Sequence, residues 1–130
     1  MTLCDPLANV LSVILSYEKV GKKEILLNYN SKIIKEILKV MHENQYIGSF
    51  NEVKDIKMNK IKVNLLGNIN KCGAIKPRYN IKVDNFEKFE KRYLPSKDFG
   101  ILIVSTPQGM MTHYMAKEKM LGGKLIAYIY

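Results

Sequence analysis

The stretch "FGILIVSTPQGMMTHYMAKEKMLGGKLIAYIY" (residues 99–130) decides the fold. "FGILIV" (99–104) is the most apolar run of the sequence and reads as a strand buried on both faces. "KLIAYIY" (124–130) reads as a second strand. Between them "THYMAKEKMLGG" (112–123) fits a short helix capped by Thr112 and stopped at Gly122. In "VSTPQGMMTH" (104–113), Pro107 fixes one backbone dihedral and Gly109 can take a positive one, which suits a tight connection after the buried strand. The turn leaves two adjacent hydroxyls, Ser105 and Thr106, an amide, Gln108, and two methionines to be explained.

Upstream, "NINKCGAIKPRYNIKV" (68–83) reads as extended chain with a bulge or bend at Gly73 and Pro77. "DNFEKFEKRYLP" (84–95) spaces Phe86, Phe89 and Tyr93 as a short helix that Pro95 stops. The N-terminal half is more regular. Asp5 and Pro6 open a helix in which Leu7, Val10, Leu11, Ile14 and Leu15 share a face, and Gly21 ends it. "KEILLNY" (23–29) is a short β-type run, and Asn30 or Ser31 caps a second helix. Its stripe is Ile33, Ile34, Ile37, Leu38 and Met41, with Lys32, Lys35 and Lys39 on another face. "YIGSFNEVKD" and "NKIKVNLLG" read as two strands joined by a polar turn near Lys54–Asn59. The expected fold is α+β in two small packed halves: 1–68, ordered α-β-α-β-β, and 69–130, mostly β with a short helix.

Length and composition suit a folded globular chain of about one domain, and no apolar run approaches the ~20 residues of a bilayer span. No membrane span is expected. The N-terminal sequence lacks the pattern of a secretory signal, so the expected setting is intracellular and reducing, namely cytoplasmic. Cys4 and Cys72 form no C-x-x-C, and His42 and His113 stand at no ligand spacing from them; neither a metal nor a cofactor is expected.

The formal net charge is +9. Residues 1–70 carry ten basic and seven acidic groups, and residues 71–130 carry eleven and five. The surplus lies mainly in the C-terminal half, and it points to a polyanion, either nucleic acid or an anionic membrane surface, with a merely solubilising basic surface as the alternative.

Ser105 or Thr106 as a nucleophile would need a base and an orienting group. The only acid after Asp98 is Glu118, and the nearest imidazole, His113, has no evident orienter in the sequence. The glycine spacing and terminal Lys-Ser/Thr of a phosphate-binding P-loop are absent. Residue identity does not exclude catalysis, but nothing in these residues supports it. Short hydroxyls and an amide at a strand mouth suit contacts to phosphates, base edges and the ribose 2′-hydroxyl. Met110 and Met111 either fill core or offer soft apolar surface to a base.

"VSTPQGMMTHYMAKEKMLGGKLIAYIY" closely resembles the C-terminal signature of the small-subunit ribosomal protein eight family, in which a Ser-Thr-x-x-Gly-x-Met-Thr loop leads to a short helix, a Gly-Gly pair and an aromatic strand. "DPLANVL" is similar to the family's opening helix, and "INKCGAIKPRYNIKV" and "FEKRYLPSKDFGILIVST" look like its archaeal and eukaryotic branch. The resemblance covers essentially the whole chain. It implies a ribosomal protein that binds an irregular stem in the central domain of small-subunit ribosomal RNA and helps assemble the platform. Implied partners are that RNA, neighbouring small-subunit proteins and, as in some relatives, its own messenger RNA.

Ser105, Thr106 and Gly109 match the family's RNA-reading loop, with Gln108 in the adjoining variable place. Pro107 stands where many relatives have Ser or Thr, and it holds the loop but donates nothing. Gly122 and Gly123 match the pair that lets backbone approach RNA or a neighbouring strand. Phosphate contacts are expected from Lys32, Lys35, Lys76, Arg78 and Lys124, with Ser31 and Tyr79 beside them. Tyr79 could stack with charge from Arg78 or simply edge a strand; Tyr128 and Tyr130 are expected to pack on the core. Two rival readings are a sequence-tolerant nucleic-acid chaperone, which would use the charge without the loop, and a small hydroxyl-dependent transferase, which would need a pocket and a base near Ser105.

Overall fold

The computed structural model describes residues 6–27, 31–54, 60–75, 78–96 and 99–130. The expected caps at Asp5 and Asn30, most of the turn near Lys54–Asn59, and Lys76 lie outside the described residues. The chain forms two compact units, Met1–Ile69 and Asn70–Tyr130.

The first unit runs α1 (Pro6–Val20), β1 (Glu24–Leu27), α2 (Lys32–Glu43), β2 (Ile47–Val53) and β3 (Lys60–Leu65). Its antiparallel sheet has the order β1-β3-β2. Alternation in β3 buries Ile61, Val63 and Leu65, while Lys62 points out to Glu24 at 3.4 Å. Helix α2 starts where Ser31 Oγ accepts the Ile34 amide at 3.3 Å. Its buried stripe is Ile34, Ile37, Leu38, Val40 and Met41. Ile33, expected in that stripe, is 42% exposed, because it precedes Ile34 and stands a helical step off the buried face.

The second unit runs β4 (Cys72–Ala74), β5 (Asn80–Ile81), a 3-10 turn (Val83–Asn85), α3 (Phe86–Tyr93), β6 (Ile101–Thr106), β7 (Gly109–Thr112), α4 (His113–Glu118) and β8 (Gly123–Ile129). Its antiparallel sheet has the order β4-β8-β6-β7, and β5 pairs β8 beyond the end of β4. The segment expected to be bent extended chain is thus one interrupted edge along β8. Ile101, Leu102, Ile103 and Val104 are all buried, as a strand covered on both faces requires. Leu102, Val104, Met111 and Leu125 share a core with Ile75, Ile81, Phe86, Phe89, Leu94 and Ala116, and Tyr128 and Tyr130 pack against it. Both short helices read from the sequence in this half, within 84–95 and 112–123, are present as α3 and α4.

Two expectations need correction. The tight connection at Pro107 is present, but the stretch after it, which carried no strand reading, pairs as one: β7 pairs β6 from Ile103↔Thr112 to Thr106↔Gly109 and makes a hairpin. Pro107 excludes the positive φ that a mirror-image two-residue turn needs, and Gly109, at φ +119°, takes up the twist instead. Nor does Gly122 stop α4. The Leu121 amide donates to the Ala116 carbonyl (2.9 Å) and the Met120 amide to that of Lys117 (3.1 Å). This places Met120, at φ +55°, in the left-handed position after the helix. A residue other than glycine costs about 1–2 kcal/mol there. Helix α2 ends the same way on Gln45 (φ +63°), whose carbonyl accepts from the Asn68 amide side chain at 2.8 Å.

Candidate nucleic-acid interface

Strand periodicity separates the two hydroxyls. Thr106 points into the core, is 8% exposed, and its Oγ1 donates to the Gly109 carbonyl at 2.8 Å while accepting the Gln108 amide at 3.2 Å. Its hydroxyl closes the hairpin. Ser105 points to the other face. There it is paired in register with Met110 on β7 and Lys124 on β8, and Lys124 is paired in turn with Asn80 on β5. Residues opposite one another in antiparallel strands share a face, so Asn80, Lys124, Ser105 and Met110 form one row across four strands. The row is about 14 Å long at ~4.8 Å per strand. Asn80 and Lys124 are exposed and Ser105 and Met110 half-buried. Met111 is buried and fills core.

The glycine pair makes this row possible. A Cβ on Gly123 would lie 2.1 Å from the Ser105 carbonyl oxygen, and one on Gly122 would lie 2.7 Å from that of Ile81. Close approach to neighbouring strands is therefore the role the geometry shows for Gly122 and Gly123: β8 enters between β5 and β6 only without side chains here. Gln108 and Gly109 are exposed at the hairpin tip.

The hairpin is braced from behind. His113 is fully buried, and its Nδ1 accepts the Leu102 amide at 3.0 Å, which continues the β6 edge where β7 has ended. Its Nε2 lies 3.3 Å from Glu90 Oε1 on α3, and Lys117 on α4 pairs with the same oxygen. An acceptor Nδ1 leaves the neutral ring's proton on Nε2, toward Glu90. His113 thus has an orienter, twenty-three residues upstream, that no local motif announces. With its ring given to Leu102 and Glu90, it is not a base for Ser105.

The other expected residues among those described are not paired into the row. Tyr79 packs on Phe89 (ring centroids 5.5 Å apart), and the cation over it is Arg92 at 5.4 Å, not Arg78. Arg78 is exposed. Ser31 caps α2 in the first unit, where Lys32 is exposed and Lys35 pairs with Glu52 at 3.2 Å. Asn80 shares the row but was not among the expected residues, although the alternation Asn80-Ile81 already sets it opposite a buried neighbour.

Two cavities lie elsewhere. One of about 400 Å³ is lined by Glu87, Glu90, Lys91, Leu94, Pro95 and Ser96. The other, about 580 Å³, lies in the first unit and is bordered by Glu18, Lys22, Lys23 and Gly67. Burial pushes the Glu18 carboxyl above its ordinary value, and a hydrogen bond from the Gly67 amide partly opposes this. Among the described residues no cluster of His, Cys, Asp and Glu could hold a metal ion, and no helix is long and apolar enough to cross a membrane.

The family model for ribosomal protein S8 matches residues 5–130. The chain belongs to the ribosomal protein S8 family. It is accordingly a small-subunit ribosomal protein that binds ribosomal RNA and works in translation beside neighbouring ribosomal proteins. Members of the S8 family are structural components of the ribosome, not enzymes. For a family member, the polar end of the second unit's sheet has the right chemistry: an ammonium for phosphate, and a hydroxyl and an amide for ribose or base edges.

Proposed function

We propose that this chain grips an irregular stem in the central domain of small-subunit ribosomal RNA through the Asn80–Lys124–Ser105–Met110 row and the Gln108–Gly109 tip beside it, and so helps assemble the platform. The row itself carries the reading: four side chains of different chemistry are held in register across four paired strands. Lys124 takes phosphate, Ser105 and Asn80 read ribose or base edges, and Met110 supplies soft apolar surface. Thr106 acts through hairpin shape. Lys32, Lys35, Lys76 and Arg78 add sequence-independent phosphate contacts, in keeping with the surplus of positive charge. The place of work is the cytoplasmic ribosome.

Regular A-form RNA hides its major groove, so short polar side chains can discriminate only where a distorted internal loop presents its bases. The test is binding of the purified protein to the isolated irregular stem and to a regular duplex of equal length. Strong preference for the stem, reduced by Ser105→Ala, is expected. Equal affinity for both RNAs would instead favour a sequence-tolerant chaperone.

A further inference from the structure

We propose that Met120 belongs to the RNA-contacting surface, its thioether side chain lying against a base or ribose next to the Lys124–Ser105 row; this rests on the function proposed above. Two local features point to it. Met120 occupies the left-handed position after α4, where glycine would be relaxed. Its side chain is also 77% exposed, the most exposed of the large apolar side chains described. Gln45 shares the backbone geometry after α2, but it is polar and its carbonyl is bonded to Asn68. At Met120 a strained backbone and a bare apolar side chain coincide, and such outliers gather where a partner supplies the missing contact.

The position names the partner. Only Leu121, Gly122 and Gly123 separate Met120 from Lys124, and the two glycines are wedged against the Ile81 and Ser105 carbonyls. Met120 thus stands four residues before Lys124, across two glycines packed on neighbouring strands. Lys119 precedes it in the chain, Lys124 follows four residues on, and the Lys82 Cα lies 3.4 Å from where a Gly122 Cβ would be, with Glu118 the acid nearest in sequence. An unbranched, polarizable side chain in a lysine-rich stretch suits the face of a base within a polyanion.

The test compares Met120→Gly and Met120→Leu with wild type, reading Tm and affinity for the isolated irregular stem, with Ser105→Ala as reference. Met120→Gly is expected to raise Tm while weakening binding by about fivefold or more, the lower end for one lost stacking contact. Met120→Leu, which keeps apolar bulk, is expected to bind within about twofold of wild type. A parallel fall of Tm and affinity in Met120→Gly would show a structural role and overturn the proposal. Unchanged binding by Met120→Gly while Ser105→Ala is weakened would overturn it and leave the row standing. Unchanged binding by both would overturn the row as well.

Discussion

The Thr106 hydroxyl donates to the Gly109 carbonyl at 2.8 Å, while Ser105, one residue earlier, shares the opposite face with Lys124. Adjacent hydroxyls in one strand thus have separate tasks. Thr106→Val should destabilise the second unit by about 1 kcal/mol, the worth of a typical buried hydrogen bond. Ser105→Ala should change stability by less than about 0.5 kcal/mol yet weaken binding to the irregular stem far more than to a regular duplex. Urea denaturation and RNA titration of the two variants separate these effects.

Gly123 and Gly109 offer a second contrast. A Gly123→Ala methyl would meet the Ser105 carbonyl oxygen at 2.1 Å, and backbone cannot step aside as a side chain can. A loss of about 3 kcal/mol or more is expected. At Gly109 nothing lies within 4 Å of a new methyl, so Gly109→Ala pays only for its positive φ, about 1 kcal/mol. Comparable losses at both sites, measured by urea denaturation, would contradict the close approach of β8 to β6.

His113→Phe keeps an aromatic ring but leaves the Leu102 amide buried without its acceptor. Thermal denaturation should report a loss of about 1–3 kcal/mol. Glu90→Gln retains a polar group beside the ring and should cost less.

Glu18 sets a pH dependence in the first unit. Burial raises its folded pKa above the ordinary 4.5, so the folded form holds the proton more tightly than the unfolded chain. The stability this contributes is complete below about pH 4.5 and is lost as pH rises through the higher folded value. Glu18→Gln should remove that fall, so its stability relative to wild type should rise between pH 4 and 7. A flat difference across the range would contradict the burial of Glu18.

Much of this architecture is legible from side-chain period alone. The apolar run 101–104, the stripe of α2 and the alternation of β3 each depend on local pattern, and each is found. The missed features depend on something else. Gly109–Thr112 is a four-residue strand whose Met-Met-Thr shows no clear alternation, so only its pairing with β6 defines it. Helix α4 ends at Met120 rather than Gly122 because glycine preference is a bias, and both glycines serve close strand contacts instead. The Glu90–His113 pair is tertiary. In the proposed interface, residue types pointed to Ser105 and Lys124, but strand parity sets Thr106 on the opposite face and Asn80 beside them.

Lys124 is the one cation in the row. Lys124→Ala should lower affinity for both stem and duplex and reduce the slope of log affinity against log salt by roughly 0.7–0.9, one phosphate's worth. An unchanged slope would show that Lys124 does not reach phosphate.

Hydroxyl-radical footprinting of the purified protein on small-subunit ribosomal RNA, with wild type and Ser105→Ala side by side, tests the central claim most directly. Protection of one irregular stem in the central domain by wild type, weakened in Ser105→Ala, is the predicted result. Protection scattered over regular duplexes, or a footprint identical in the two proteins, would contradict it.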